Sequence, residues 1–215
     1  MTGARRGFFI SVEGADGSGK STQTRRLADY LRTLGHAVVE TREPGGGGEG
    51  AAAIRQLLLN GPPDRWTPTA EALMMYAARA EHLDKLIRPA LKEGKTVITD
   101  RFADSTMAYQ GMAGGLGASA VTALHSIVVG EDEPDLTLIL DVPAEIGLQR
   151  AGGRRTGESR FEQKGEAYQQ AVRDAFLAIA RAAPKRCRVI DASVDQETVW
   201  RAIAKAVDGA LQSRS

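Results

Sequence analysis

Ten consecutive residues, Glu13-Gly14-Ala15-Asp16-Gly17-Ser18-Gly19-Lys20-Ser21-Thr22, constrain this chain more than any other segment. From Gly14 to Ser21 they satisfy G-x-x-x-x-G-K-[ST] at every specified position. The apolar run Phe8-Phe9-Ile10-Ser11-Val12 precedes them with the character of a buried strand, and Leu27, Leu31 and Leu34 follow at helical spacing. In the order strand, glycine loop, helix, backbone N–H groups can wrap a phosphate chain at the positive end of a helix. The expected ligand is a nucleoside triphosphate, held by Gly14, Ala15, Asp16, Gly17, Ser18, Gly19, Lys20, Ser21 and Thr22.

The rest of the pattern fits an α/β fold. Five β-rich apolar runs, Phe8–Glu13, Ala37–Thr41, Thr96–Asp100, Leu136–Val142 and Arg188–Ala192, alternate with helical segments. Strands alternating with helices predict a parallel sheet covered on both faces. With 215 residues, the chain suits one domain, residues 1–215. Glycine runs at Gly45–Gly48 and Gly152–Gly157 are expected to be mobile loops within it. A long helix is expected from Thr69 to about Glu93, kinked or ended by Pro89. Leu73, Tyr76, Ala77, Ala80, Leu83, Ile87 and Leu91 share its expected core face, on which Asp84 is out of place. Met75, Arg79, His82 and Leu86 form a second stripe that could line a pocket.

Charge is balanced, 28 Lys+Arg against 27 Asp+Glu, so neither nucleic acid nor a membrane surface is expected as a partner. A single cysteine, Cys187, excludes an intrachain disulfide and a thiolate metal cluster. His36, His82 and His125 show no metal-ligand spacing. No apolar stretch approaches the ~18 residues of a membrane span, and no signal peptide is evident, so the expected location is cytoplasmic.

A phosphate loop does not name the second substrate. A guanine-nucleotide switch needs an Asn-Lys-x-Asp motif, whereas the only asparagine is Asn60, in Leu59-Asn60-Gly61. Three positions suggest an acceptor that already carries phosphate: Thr41-Arg42-Glu43-Pro44-Gly45 after the second strand, Asp100-Arg101-Phe102 after the third, and Arg79. These residues, with Tyr76-Ala77-Ala78-Arg79, Asp104-Ser105-Thr106-Met107-Ala108-Tyr109-Gln110-Gly111, Pro134-Asp135-Leu136-Thr137 and Ser159-Arg160-Phe161-Glu162, resemble the thymidylate kinases over nearly the whole chain.

The resemblance implies a P-loop NTPase three-layer fold, a central five-stranded parallel β-sheet flanked by helices, with a mobile lid at about 150–160. It implies transfer of the γ-phosphate of ATP to dTMP, giving dTDP and ADP for dTTP supply, with Mg²⁺ and a homodimer packed through helices. Lys20 would reach the β/γ-phosphates, Ser21 would hold Mg²⁺, and Asp16 would help place acceptor and metal. Arg79 and Arg101 would clamp the acceptor phosphate, with Arg42 and Glu43 at the same junction. Gln110 would meet the thymine edge, with Ser105 or Thr106 close by. The phosphate loop lacks an extra basic residue, so Arg154, Arg155 and Arg160 are the lid candidates for closing over ATP, Arg155 and Arg160 before Arg154, and Arg150 would line that side.

Three positions depart from the family pattern. Met75 replaces the aromatic residue expected against thymine, Phe102 ends an element that normally ends in Tyr or His, and Ser159 replaces an Asp. A deoxynucleoside kinase would need a carboxylate base facing a neutral hydroxyl, and an acceptor-free regulatory ATPase would leave Arg79, Arg101 and Gln110 unrelated.

Overall fold

Strand β1 (Phe9–Glu13) is buried at every residue, as its bulky apolar sequence requires of a central parallel strand. β3 (Thr96–Asp100) and β4 (Leu136–Asp141) flank it, and β2 (Val38–Arg42) and β5 (Cys187–Asp191) lie outside them. The order is β2-β3-β1-β4-β5 with every pairing parallel. This computed structural model describes residues 6–152 and 160–214. Among them, each expected strand is present, four of the five with at least one end moved by a residue.

The chain runs from β1 to β2 and back to β3 on one side of β1, then crosses to β4 and β5 on the other, so the crevice beyond the carboxyl end of β1 is the switch point where such folds bind ligands. Register brings the chemistry there. Val12 pairs with Asp100 and Arg42 with the same Asp100, so Glu13, Arg42 and Asp100 end three adjacent strands side by side.

One face of the sheet is covered by α1 (Lys20–Thr33) and α9 (Gln196–Gln212), whose Leu27, Leu31, Ile203 and Val207 pack on Ile10, Val12 and Leu138. Asp195 starts α9 by accepting from the N–H groups of Glu197 and Thr198. The other face carries α3 (Pro68–His82), α6 (Ala118–Val128) and α8 (Glu166–Ala182), with α2 (Glu49–Leu59) outside α3. Thr67 caps α3 through Ala70 N, and Pro68 occupies its first turn, where a missing N–H costs nothing.

The expected single helix from Thr69 is three pieces: α3, a π-helical turn over Leu83–Ile87, and α4 (Arg88–Lys92). Pro89 offers no N–H and crowds the preceding turn, and the helix widens just before it, Arg88 N–H reaching back to Leu83 O. Its buried face also differs from the expected one. Leu73 and Ala77 are exposed, whereas Ala72, Tyr76, Arg79, His82 and Leu83 are buried. Asp84, out of place on the expected core face, in fact projects outward and pairs with Arg88.

The glycine run after β2 is a packed turn in place of the expected mobile loop. A Cβ on Gly46 would lie 2.5 Å from His82 Nε2, and one on Gly47 2.5 Å from His82 Cα. Backbone lies directly against α3, which only glycine permits.

Candidate active site

The carboxyl ends of β1, β2 and β3 open into a cleft of about 370 Å³. Asp16, Lys20 and Ser21 of the phosphate loop line one side, and Arg42, Met75, Arg79 and Gln110 line the other. Asp100, Arg101, Ser105 and Thr106 lie between them. The loop is braced from behind by α7 (Ala144–Gly152): a Cβ on Gly17 would lie 1.9 Å from Gly147 O, and one on Gly147 2.6 Å from Asp16 O. Here two backbones touch, and neither position accepts a side chain.

Lys20 curls back over the loop, Nζ donating to Gly14 O at 3.1 Å and Ala15 O at 2.9 Å. Burial, followed by the nearby positive charge of Arg101, brings its ammonium down to about 8. A polyphosphate would supply the counter-charge that this nest of carbonyls lacks. Ser21 Oγ donates to Asp100 Oδ2 at 2.7 Å.

Arg101 is the hub of the site. It is the only non-glycine residue with positive φ among those described, at 73°. Arg101 N donating to Val12 O at 3.0 Å and Thr99 Oγ1 donating to Arg101 O at 2.8 Å hold that strained backbone. Its Nη2 donates to Asp16 Oδ1 at 2.6 Å and to Tyr109 OH at 3.1 Å, and its Nη1 to Gly14 O and Ser105 Oγ, both at 3.0 Å. Burial alone would raise the Asp16 carboxyl, but Arg101 and Lys20 together hold it below the ordinary value. Gln169 Nε2 adds a contact to Asp16 Oδ2 at 3.3 Å.

Beneath Arg101 lies Glu13, fully buried, its Oε1 accepting from Phe102 N at 2.7 Å and its Oε2 bonded to Ser105 Oγ at 2.6 Å. Burial, then the negative charge of Asp104, raises its carboxyl to about 8. A carboxyl whose pKa is raised on folding adds stability that is complete below its unfolded value and is lost as pH rises through the folded one. Glu13→Gln should therefore gain stability relative to the parent as pH climbs from about 5 through about 8. Melting temperatures of both proteins across that range check this, and parallel curves would show that Glu13 does not change its proton on folding.

The opposite wall is a buried ion cluster. Arg79 Nε donates to Glu43 Oε2 at 2.8 Å, and its Nη2 donates to Phe102 O at 3.1 Å and Thr106 Oγ1 at 3.0 Å. His82 joins Glu43 Oε1 at 2.9 Å and Thr41 Oγ1 at 2.8 Å, which makes it part of the scaffold behind the cleft. One group is left over: Arg79 Nη1 is buried with no hydrogen-bond partner among the described residues, its guanidinium lying over the Tyr76 and Phe102 rings. Arg42, by contrast, is exposed at the mouth and makes no side-chain hydrogen bond or ion pair among the described residues. Gln110 sits on a second π-helical turn, Met107–Ala113, and its Nε2 donates to Glu71 Oε2 at 3.0 Å. Tyr109, on the same turn, faces Arg101.

Arg160 is a correction. It resembles a lid cation, but it is 1% exposed, and its donors are taken by the carbonyls of Leu58, Pro62 and Pro63 and by Glu71 Oε1 at 2.5 Å. Buried so, it points no charge at a triphosphate. Arg154 and Arg155 lie outside the described residues. Arg150 is fastened to the loop after β5, donating to Ala192 O at 2.7 Å and Ser193 O at 3.3 Å.

Periodicity did not single out Glu13, Glu71, Asp100 or Gln169 as site residues. Asp100 had a usable signal, because the last residue of a strand beside β1 must reach the phosphate loop. Gln169 and Glu71 had none.

The family model for thymidylate kinase matches residues 12–203. A thymidylate kinase of Caulobacter vibrioides is 55% identical over 202 residues, covering 94% of this chain and 96% of its own. One of Dinoroseobacter shibae is 55% identical over 185 residues, covering 86% and 88%. The crystal structure of thymidylate kinase from Ehrlichia chaffeensis superposes with a TM-score of 0.77 at 34% identity, covering 94% of this chain and 99% of that one. With a phosphate loop at the carboxyl end of β1, a family model that matches residues 12–203 and relatives covered over most of their length, this chain belongs to the thymidylate kinase family, P-loop phosphotransferases that carry a phosphoryl group from ATP to dTMP.

Proposed function

We propose that the two halves of the cleft divide the substrates between them: the phosphate loop takes ATP, and the wall of Arg42, Met75, Arg79 and Gln110 takes dTMP. The observation that carries this reading is Nη1 of buried Arg79, a donor with no hydrogen-bond partner among the described residues, in the same cleft wall as Gln110. The sequence resemblance assigns Arg79 to the acceptor phosphate, but its charge is already neutralised by Glu43 at 2.8 Å. A neutralised guanidinium with one spare donor suits a base carbonyl. Arg42 then serves the phosphate, because it makes no side-chain hydrogen bond or ion pair among the described residues, together with Arg101, which is paired with Asp16 as Arg79 is with Glu43 but stands between the two halves of the cleft. Met75 would pack on the ring through its polarizable sulfur.

The donor set suits Mg²⁺. Ser21 Oγ, Asp100 and Asp16 offer hard oxygens at the loop, and Mg²⁺ is commonly held by one or two carboxylates together with substrate phosphates. When bound there it neutralises charge on the transferred group. The chain's own part is to align the phosphates through Lys20 and the loop N–H groups, and to keep Asp16 ionised. The acceptor phosphate is itself nucleophilic, so no general base is required. Turnover with ATP and Mg²⁺ against dTMP, dUMP, thymidine, AMP and GMP tests the reading. It fails if dTMP adds nothing to the acceptor-free rate.

The enzyme works as a homodimer joined through α3 and α6. Leu73 on α3 is 52% exposed and Ile127 on α6 is 80% exposed, although the two helices are packed together in one layer. Large aliphatic side chains left outward on neighbouring helices suit a self-complementary surface. The paired variant Leu73→Asp/Ile127→Asp should sediment as a monomer where the parent sediments as a dimer. A cytoplasmic location fits the chemistry: Cys187 is a buried, unpaired thiol whose pKa burial pushes up to about 11, and no helix among the described residues is long and apolar enough to cross a membrane.

A further inference from the structure

Glu71 stands in the first turn of α3, 1% exposed, and four hydrogen-bond contacts converge on its carboxylate. Arg160 Nη2 reaches Oε1 at 2.5 Å, and Lys164 Nζ lies 3.3 Å from Oε1 and 3.5 Å from Oε2. Oε2 accepts from Gln110 Nε2 at 3.0 Å. A glutamine amide free to rotate presents either a donor or an acceptor with little change of shape. Gln110 lacks that freedom. A carboxylate under such cations only accepts, so the NH₂ of Gln110 must face Glu71 and its Oε1 is left for the cleft.

The same cleft wall carries Arg79, whose Nη2 is bonded to Thr106, one turn before Gln110, and whose Nη1 is buried with no hydrogen-bond partner among the described residues. The wall thus carries both an acceptor and a donor that its own hydrogen bonds leave over. A pyrimidine with N3–H and a 4-carbonyl, as in thymine, matches this pair. Cytosine carries a lone pair at N3 and an amino group at C4, and mismatches both. We propose that Glu71 is a positioning residue for base specificity, which makes the cleft read an N3–H pyrimidine by fixing the amide of Gln110.

This inference rests on the placement of the base against Gln110 in the proposed function, and the test separates the two. In Glu71→Gln the neighbour of Gln110 becomes an amide, which can accept or donate, so both orientations of Gln110 become available. The ratio of kcat/KM for dTMP over dCMP should fall by about tenfold or more, through a raised KM for dTMP more than a lowered kcat. Glu71→Asp keeps the charge beside Arg160 but draws the carboxylate away from Gln110. It should lower the same ratio, and it serves if Glu71→Gln does not fold. Lys164→Ala, which removes another contact of Glu71 together with the ammonium over the Phe161 and Tyr168 rings, should leave the ratio unchanged. A double variant, Glu71→Gln with Gln110→Met, should lose no more selectivity than Gln110→Met alone. Loss of dTMP and dCMP turnover in equal proportion in the Glu71 variants would overturn the proposal and leave Glu71 a structural ion pair. An unchanged ratio in Gln110→Met would instead overturn the placement of the base.

Discussion

Arg101→Ala should lower kcat with saturating ATP and dTMP by about a thousandfold or more, the range in which a cation at the transferred phosphoryl group acts. The expectation follows from how the guanidinium is held. Four hydrogen bonds, to Asp16, Gly14, Ser105 and Tyr109, tie it to both halves of the cleft. Alanine removes the charge facing the transfer point and also the partner that keeps Asp16 ionised against its burial. It puts a methyl where the backbone is left-handed, but arginine already carries a Cβ there, so no new backbone strain arises. Arg101→Lys should recover little, since one ammonium cannot bridge Asp16 and Gly14 as the planar fork does. Single-turnover kinetics beside a melting curve will separate loss of chemistry from loss of fold. A rate within tenfold of the parent, in a folded variant, would remove Arg101 from the chemistry.

What could be read in the sequence was what one contiguous segment determines. The phosphate loop is such a segment, and so is β3, whose expected and observed limits coincide at Thr96–Asp100. The buried face of α3 was not legible, because that helix is apolar in two directions. Leu73 and Ala77 look like core residues and point outward. Arg79 and His82 stand on the stripe that could line a pocket, and both are fully buried, because Glu43, which hydrogen-bonds to both, arrives from 36 and 39 residues away. Periodicity registers the residue but not the distant partner that makes its burial affordable. The same blindness made the glycine run at Gly45–Gly48 look mobile, since His82, against which it packs, is far along the chain. It also made Arg160 look like a free lid cation.

Arg160→Met tests that last point. Its guanidinium joins Glu71 of α3 to the carbonyls of Leu58, Pro62 and Pro63, so it fastens the α2–α3 connection to the segment that leads into α8. Both members of the ion pair are almost fully buried, with side-chain exposures of 0% and 1%. Removing one partner of such a pair leaves an uncompensated charge and typically costs about 3–5 kcal/mol. Lys164, at 3.3 Å from Glu71, softens this loss without replacing the carbonyl contacts. At about 2–4 °C per kcal/mol for a chain of this size, the melting temperature should fall by roughly 10 °C. Turnover measured well below that temperature should fall less than tenfold, since Arg160 faces neither phosphate. The opposite pattern, an unmoved melting temperature with collapsed kcat, would mean that Arg160 leaves Glu71 when ATP binds, and would return it to the lid role that its sequence context suggests.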